Sequence, residues 1–234
     1  MRKGTLEKIR EKDCKTLGKF GAVKEKDGVI FQVALEEPEE AALLLYQRGT
    51  DTIVREIPLK DKRIVGNVYA VKLLNLDGEQ YEYNYRIGTK VVQDTYAGII
   101  RGRDKFGEPV ANGDGHQIRC GFDFKAYDWK DDTPPCIPYE DAVMYGLHVR
   151  GFTMQANSKV RHKGTFRGVA EKAEYLKNLG INQVKLMPAY EFDEIVKLYN
   201  GMNRNYQAPP EEQREKLNFW GYEKGWYFAP KASY

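Results

Sequence analysis

The sequence predicts a mostly β chain in two parts, an antiparallel β-sandwich followed by a parallel strand–helix–strand unit. Three observations predict it. Alternating, aromatic-rich runs separated by turn residues recur up to about residue 107. A stretch rich in proline and glycine comes next, and behind it two nearly continuous apolar runs flank one amphipathic helix. With 234 residues, 41% of them hydrophobic, the chain can bury a core and is not a disordered polymer.

Residues 1–17 read as an N-terminal extension. They are dense in charge and carry no apolar run of secretory-signal type. Residues 18–107 supply the sandwich. Gly28-Val29-Ile30-Phe31-Gln32-Val33-Ala34, Ala42-Leu43-Leu44-Leu45-Tyr46 and Val68-Tyr69-Ala70-Val71-Lys72-Leu73 read as strands. In Tyr81-Glu82-Tyr83-Asn84-Tyr85-Arg86-Ile87 the rings point one way and the polar residues the other, the pattern of a half-buried strand. Lys26-Asp27-Gly28, Gly49-Thr50-Asp51 and Asp77-Gly78 provide turns between them.

Residues 108–141 read as an irregular linker, because Pro109, Gly113, Gly115, Pro134, Pro135 and Pro138 deny a long helix or a central strand. Residues 142–234 have another rhythm. The run from Ala142 to Val149 reads as a strand buried on both faces. Val169, Ala173, Tyr175, Leu176 and Leu179 fall near helical spacing, and Gly180 supplies the stop. Ile181 to Met187 reads as a second buried strand, which completes a right-handed βαβ unit.

Lysine plus arginine total 37 against 34 acidic residues, a net +3 spread along the chain, so neither nucleic acid nor an anionic membrane is an expected partner. No stretch approaches a membrane span. Cys14, Cys120 and Cys136 form no CxxC pair and read as free thiols of a reducing, cytoplasmic protein. Glycine-rich nucleotide loops, metalloprotease and serine-elbow motifs and clustered His/Cys sets are all absent, so no cofactor and no metal site is expected.

Three groups remain as candidates. His148 lies inside the first apolar strand and is open to a packing or a catalytic role. Glu191, Asp193 and Glu194 follow the second strand, where barrel enzymes place functional groups; they are either a carboxylate pair for glycoside hydrolysis or solvated loop acids. Asn218-Phe219-Trp220-Gly221-Tyr222 puts three rings into five residues, as core or as a stacking platform for a pyranose.

A family becomes visible at these residues. The segment from Pro138 to Thr153, with Tyr145-Gly146-Leu147-His148-Val149-Arg150-Gly151-Phe152-Thr153, resembles the first barrel strand of glycoside hydrolase family 13, the α-amylase superfamily, in its pullulanase, isoamylase and glycogen-debranching branch. Lys163-Gly164-Thr165-Phe166 with the helix that follows resembles that family's first helix, and Val184-Lys185-Leu186-Met187-Pro188 its second strand. Asn218-Phe219-Trp220-Gly221-Tyr222, with Phe228-Ala229-Pro230 and Ser233-Tyr234, is similar to the aromatic segment before the third strand. More loosely, the front half resembles the immunoglobulin-like, family 48 carbohydrate-binding module. Gly146 and Lys185 stand where relatives carry glutamate, and Glu223-Lys224 replaces Asn-Pro or Asp-Pro.

The resemblance implies an immunoglobulin-like sandwich, then the first βα units of an incomplete (β/α)8 TIM barrel. It implies retaining hydrolysis of α-1,6 or α-1,4 glucosidic bonds in glycogen, starch or pullulan. A whole barrel needs about 250 residues, and the family's three catalytic carboxylates follow its fourth, fifth and seventh strands. None of them is therefore expected in this chain, which reads as an inactive N-terminal fragment or truncated gene product. Tyr222 is the one substrate-binding residue carried over, as the ring that stacks on the sugar preceding the cleaved bond, with Trp220 as its packing support. A stand-alone glucan-binding protein is the alternative, and a branching transferase a further one. Uncovered apolar side chains at Val143, Val184 and Leu186, and a long exposed loop over residues 198–216, are expected to make the isolated chain poorly soluble.

Overall fold

The computed structural model describes residues 9–14, 18–36, 40–108, 117–122, 124–197, 215–222 and 224–234. The chain divides into two compact units, one of residues 1–103, 110–125 and 226–232, the other of 104–109, 126–225 and 233–234.

The first unit contains β1 (Arg10–Lys12), β2 (Gly21–Glu25), β3 (Gly28–Ala34), β4 (Ala41–Gln47), β5 (Ile53–Pro58), β6 (Arg63–Val65), β7 (Val68–Leu74), β8 (Tyr81–Ile87), β9 (Lys90–Val92), β10 (Ile100–Arg101) and β11 (Arg119–Cys120). One sheet runs β1-β7-β3-β2 with β6 on β7, the other β10-β11-β8-β4-β5 with β9 on β8. Every ladder is antiparallel. Phe31 lies opposite Val71 in the first sheet, and Leu43 and Leu45 lie opposite Tyr85 and Tyr83 in the second. These side chains belong to one core, together with Val29, Leu73 and Ile57. Each buried apolar side chain of this size contributes roughly 1.5–3 kcal/mol.

Two expectations change here. β8 is buried on both faces through Tyr85: Glu82 and Asn84 are covered as fully as the tyrosines. Glu82 pairs with Arg101, while Asn84 donates to the Ile118 carbonyl and accepts from the Cys120 amide. Those partners come from β10 and from the vicinity of β11, and β11 falls inside the stretch read as linker. Ile118, Cys120 and Phe122 alternate into the core, a short apolar pattern obscured by the turn residues before it. The thiols of Cys14, Cys120 and Cys136 are free, half-buried, buried and exposed respectively.

The second unit contains β12 (Met144–Leu147), α1 (Val149–Thr153), α2 (Phe166–Ala170), α3 (Ala173–Asn178), β13 (Gln183–Leu186), β14 (Tyr190–Phe192), β15 (Ile195–Lys197) and β16 (Glu215–Leu217); β17 (Gly225–Pro230) begins in it. β12 and β13 pair in parallel, Met144 with Gln183 through Leu147 with Leu186. Asn182 fixes that register: its Oδ1 accepts from the Val143 amide and its Nδ2 donates to the Asp141 carbonyl. α3 ends where Gly180 takes φ +81°, with Gly180 N–H on the Lys177 carbonyl and Ile181 N–H on that of Leu176.

The helix read as continuous is two pieces. At the break the Lys172 amide bonds the Val169 carbonyl, a tightened turn, and the Glu171 carboxylate turns aside to accept from the Arg161 and His162 amides. Nor is β12 buried on both faces: Met144, Tyr145 and Gly146 are exposed, as are all four residues of β13. The apolar runs reflect parallel pairing, but among the described residues this sheet has two strands only. Val143, Val184 and Leu186 are 49%, 40% and 41% exposed, uncovered as expected. Of the loop expected over 198–216, residues 198–214 lie outside the described residues, and Glu215–Leu217 form a strand against β15. No described helix is long and apolar enough to cross a membrane.

Candidate functional site

The aromatic segment 218–222 stands in the second unit, and its own turn chemistry builds it. Asn218 Oδ1 accepts from the Gly221 amide, an Asn at the first and a Gly at the fourth position of a turn. Asn218 also donates twice: its backbone amide to the Glu194 carbonyl at 2.7 Å and its Nδ2 to the Asp193 carbonyl at 3.1 Å. The Tyr190 hydroxyl donates to the Gly221 carbonyl at 3.0 Å. Gly221 has φ +76°, and a Cβ there would lie 2.5 Å from Cε1 of the buried Phe192 ring. The turn thus presses its backbone onto the end of β14 and aims the next residue outward.

That next residue is Tyr222, 70% exposed. Trp220 is 53% exposed, and its ring lies edge-on to Phe219 and His148 at 5.3 and 5.6 Å. His148 lies at the end of β12, buried, stacked on Phe219 at 4.4 Å and 11°, with Nε2 2.7 Å from the Phe219 carbonyl. Its Nδ1 accepts from the Gly151 amide, which caps α1. Burial lowers its pKa from the ordinary value, and the neighbouring Arg150 charge adds to this. Tyr234 completes the cluster, its hydroxyl 3.2 Å from His148 Nε2 and its ring beside Phe106, Phe166 and Phe192; burial raises its pKa.

Of the three acids after β13, Asp193 is exposed, as one reading had them all, but the other two are not solvated. Glu191 is fully buried and accepts from its neighbour's amide at Phe192. Glu194 is 4% exposed and accepts from the Gly107 amide and from Ser233 Oγ. These bonds make both carboxylates structural ties. Among the described residues no three His, Cys, Asp or Glu side chains gather to hold a metal ion. Sequence reasoning singled out Tyr222 and its neighbours but missed Asn218, Tyr190 and Gly221 as the elements that place it; the Asn-x-x-Gly spacing was the available signal.

The first unit carries a separate cleft of about 340 Å³ at the β2–β3 turn and the β7–β8 loop. Phe122 and Phe124 line it, with Lys24 over the Phe124 ring at 5.6 Å. Glu25 and Asp27 pair with Lys72 and Glu79 with Arg48 and Lys125, while Asp77 accepts from the Glu79 amide and Gln80 Nε2. A paired polar rim over an apolar floor suits a neutral, hydroxyl-rich ligand better than an ion.

No family model matches the chain. It is 32% identical to Isoamylase 1, chloroplastic, of Oryza sativa subsp. japonica, over 92% of this chain and 28% of that protein. Isoamylase 1, chloroplastic, of Arabidopsis thaliana is 33% identical, over 92% and 29%, and the Glycogen operon protein GlgX homolog of Haemophilus influenzae 28%, over 65% and 24%. The chain thus spans less than a third of the length of these curated relatives. In fold it is similar to pullulanase type I from Bacillus subtilis str. 168 complexed with maltose, with a TM-score of 0.63 at 24% identity over 93% of this chain and 28% of that one. It is also similar to apo pullulanase from Paenibacillus barengoltzii, with 0.65 at 24% over 93% and 32%.

Proposed function

As the chain is a homologue of the isoamylases, GlgX proteins and pullulanases in the debranching branch of glycoside hydrolase family 13, we propose that it is the N-terminal part of an α-glucan-acting hydrolase. The full-length enzyme cleaves α-1,6 or α-1,4 glucosidic bonds of glycogen, starch or pullulan by a retaining mechanism. One carboxylate attacks the anomeric carbon while a carboxylic acid about 5 Å away protonates the leaving oxygen. Both groups belong to later strands, outside these 234 residues. In this reading residues 18–107 are an immunoglobulin-like, carbohydrate-binding-like module, 108–141 a linker, and 142–234 the first βα units of a TIM barrel, in a cytoplasmic protein.

Tyr222 carries the reading. Its open ring, at the end of a turn held by four hydrogen bonds to neighbouring elements and within itself, offers a flat apolar face to the axial hydrogens of a pyranose and an electron-rich face to a developing oxocarbenium ion. The 234-residue chain is expected to release no reducing ends from pullulan, whereas a longer natural form releases them. Tyr222→Ala is expected to weaken maltotetraose binding roughly threefold to tenfold in isothermal titration. Pullulan cleavage by the 234-residue chain would show that the catalytic carboxylates have been misplaced.

The cleft of the first unit favours a second reading, glucan binding by the sandwich alone. If Phe124→Ala abolishes maltotetraose binding and Tyr222→Ala leaves it unchanged, the second reading replaces the first.

A further inference from the structure

We infer that His148 is the positioning residue of the sugar-stacking segment, tying the end of β12 to the Phe219 carbonyl three residues before Tyr222. This rests on the reading of Tyr222 as the platform and assigns how that platform is held.

The imidazole makes two backbone bonds that demand opposite things of its nitrogens. Gly151 N–H points at Nδ1 at 3.0 Å, and an amide can only donate, so Nδ1 carries a lone pair. The Phe219 carbonyl lies 2.7 Å from Nε2 and can only accept, so Nε2 carries the proton. The two contacts together select the neutral Nε2–H tautomer without help from a carboxylate, and against it the Tyr234 hydroxyl, 3.2 Å from Nε2, can only accept. Face-to-face stacking on Phe219 fixes the ring plane, and Trp220 and Tyr234 close its edges at 5.6 and 5.7 Å. A single side chain at a strand end thereby sets where the loop backbone runs. Other hydrogen bonds on that loop reach Asn218 and Gly221, while the bond from His148 holds the backbone at Phe219.

Two substitutions separate the two bonds. Asparagine places a carbonyl oxygen near the position of Nδ1 and retains the Gly151 contact, while glutamine places an amide N–H near the position of Nε2 and retains the Phe219 contact. In the full 234-residue chain, His148→Asn is expected to speed amide hydrogen exchange over residues 218–222 about tenfold and to weaken maltotetraose binding about fivefold. His148→Gln is expected to hold both within about twofold and to speed exchange at Gly151 instead. A long-range proton–nitrogen spectrum of the unaltered protein should show His148 protonated at Nε2 and not at Nδ1. Equal exchange over 218–222 in the two variants, or a proton on Nδ1, overturns the assignment. If Tyr222→Ala leaves maltotetraose binding unchanged, the platform reading fails, while the exchange pattern and the ring spectrum still decide the role of His148.

Discussion

Gly221→Ala is expected to unseat the Asn218–Tyr222 turn and to cost the second unit about 2–5 kcal/mol, the sum of a left-handed backbone cost of about 1–2 and an overpacking cost of about 1–3. Both contributions act at one atom. The residue sits at φ +76°, and the new methyl would lie 2.5 and 2.8 Å from Cε1 and Cδ1 of Phe192. That ring is fully buried and is itself edge-on to Tyr190 at 6.4 Å, so it cannot swing aside cheaply. Near-ultraviolet circular dichroism of the unfolding transition reads the loss, and maltotetraose titration reads the displacement of Tyr222. Gly146→Ala is the control, since a Cβ at Gly146 meets nothing within 4 Å. Equal effects of the two substitutions would refute the packing account.

The largest effect on the first unit is expected from Tyr83→Ala, about 3–5 kcal/mol. The Tyr83 ring is fully buried, stacked on Phe122 at 5.1 Å and edge-on to Phe31 at 5.0 Å, so its removal opens the centre of the core. Denaturant unfolding gives the number directly, and a cost under about 1 kcal/mol would mean that the core collapses into the gap. Its hydroxyl donates to Asp94, which also accepts from the Tyr96 amide. Burial raises the Asp94 pKa above 3.8. Stability from this group is therefore complete below the unfolded value and is lost as pH rises through the raised folded value. Asp94→Asn keeps an acceptor and removes the charge. The variant is expected to be more stable than the parent near neutrality, with the difference vanishing below the ordinary carboxylate value of 3.8. A gap that persists in acid would place the cause elsewhere.

Much of this was legible in the residues, for reasons that differ by element. β3, β4, β7 and β8 were read within one residue at either end, because their apolar content is high and turn residues bound them. β2 and β5 were not read, since Gly21-Ala22-Val23-Lys24-Glu25 and Ile53-Val54-Arg55-Glu56-Ile57-Pro58 mix charges into short runs and become strands by pairing with the more apolar β3 and β4 beside them. The polar face of β8 looked solvated because its cover, the residues around β11, lies more than thirty positions away along the chain. Tyr222 was legible through a family likeness. The bonds that hold it were not, because a carbonyl 71 residues from its histidine leaves no periodic trace. Glu191 and Glu194 illustrate the same limit: a carboxylate is read as solvated by default, and only the fold reveals the amides and hydroxyl that bury it.

The parallel pairing of β12 with β13 has a consequence in time. Val143 and Asn182, which close that pair, are separated by 39 positions. At the 5–20 residues per second of synthesis, the first strand leaves the ribosome roughly 2–8 s before its partner. A hairpin such as β2–β3 waits a fraction of that, because its partners follow at once. For those seconds Met144, Tyr145 and Leu147 have no ladder to join, and the nascent chain presents them to whatever holdase stands at the tunnel exit.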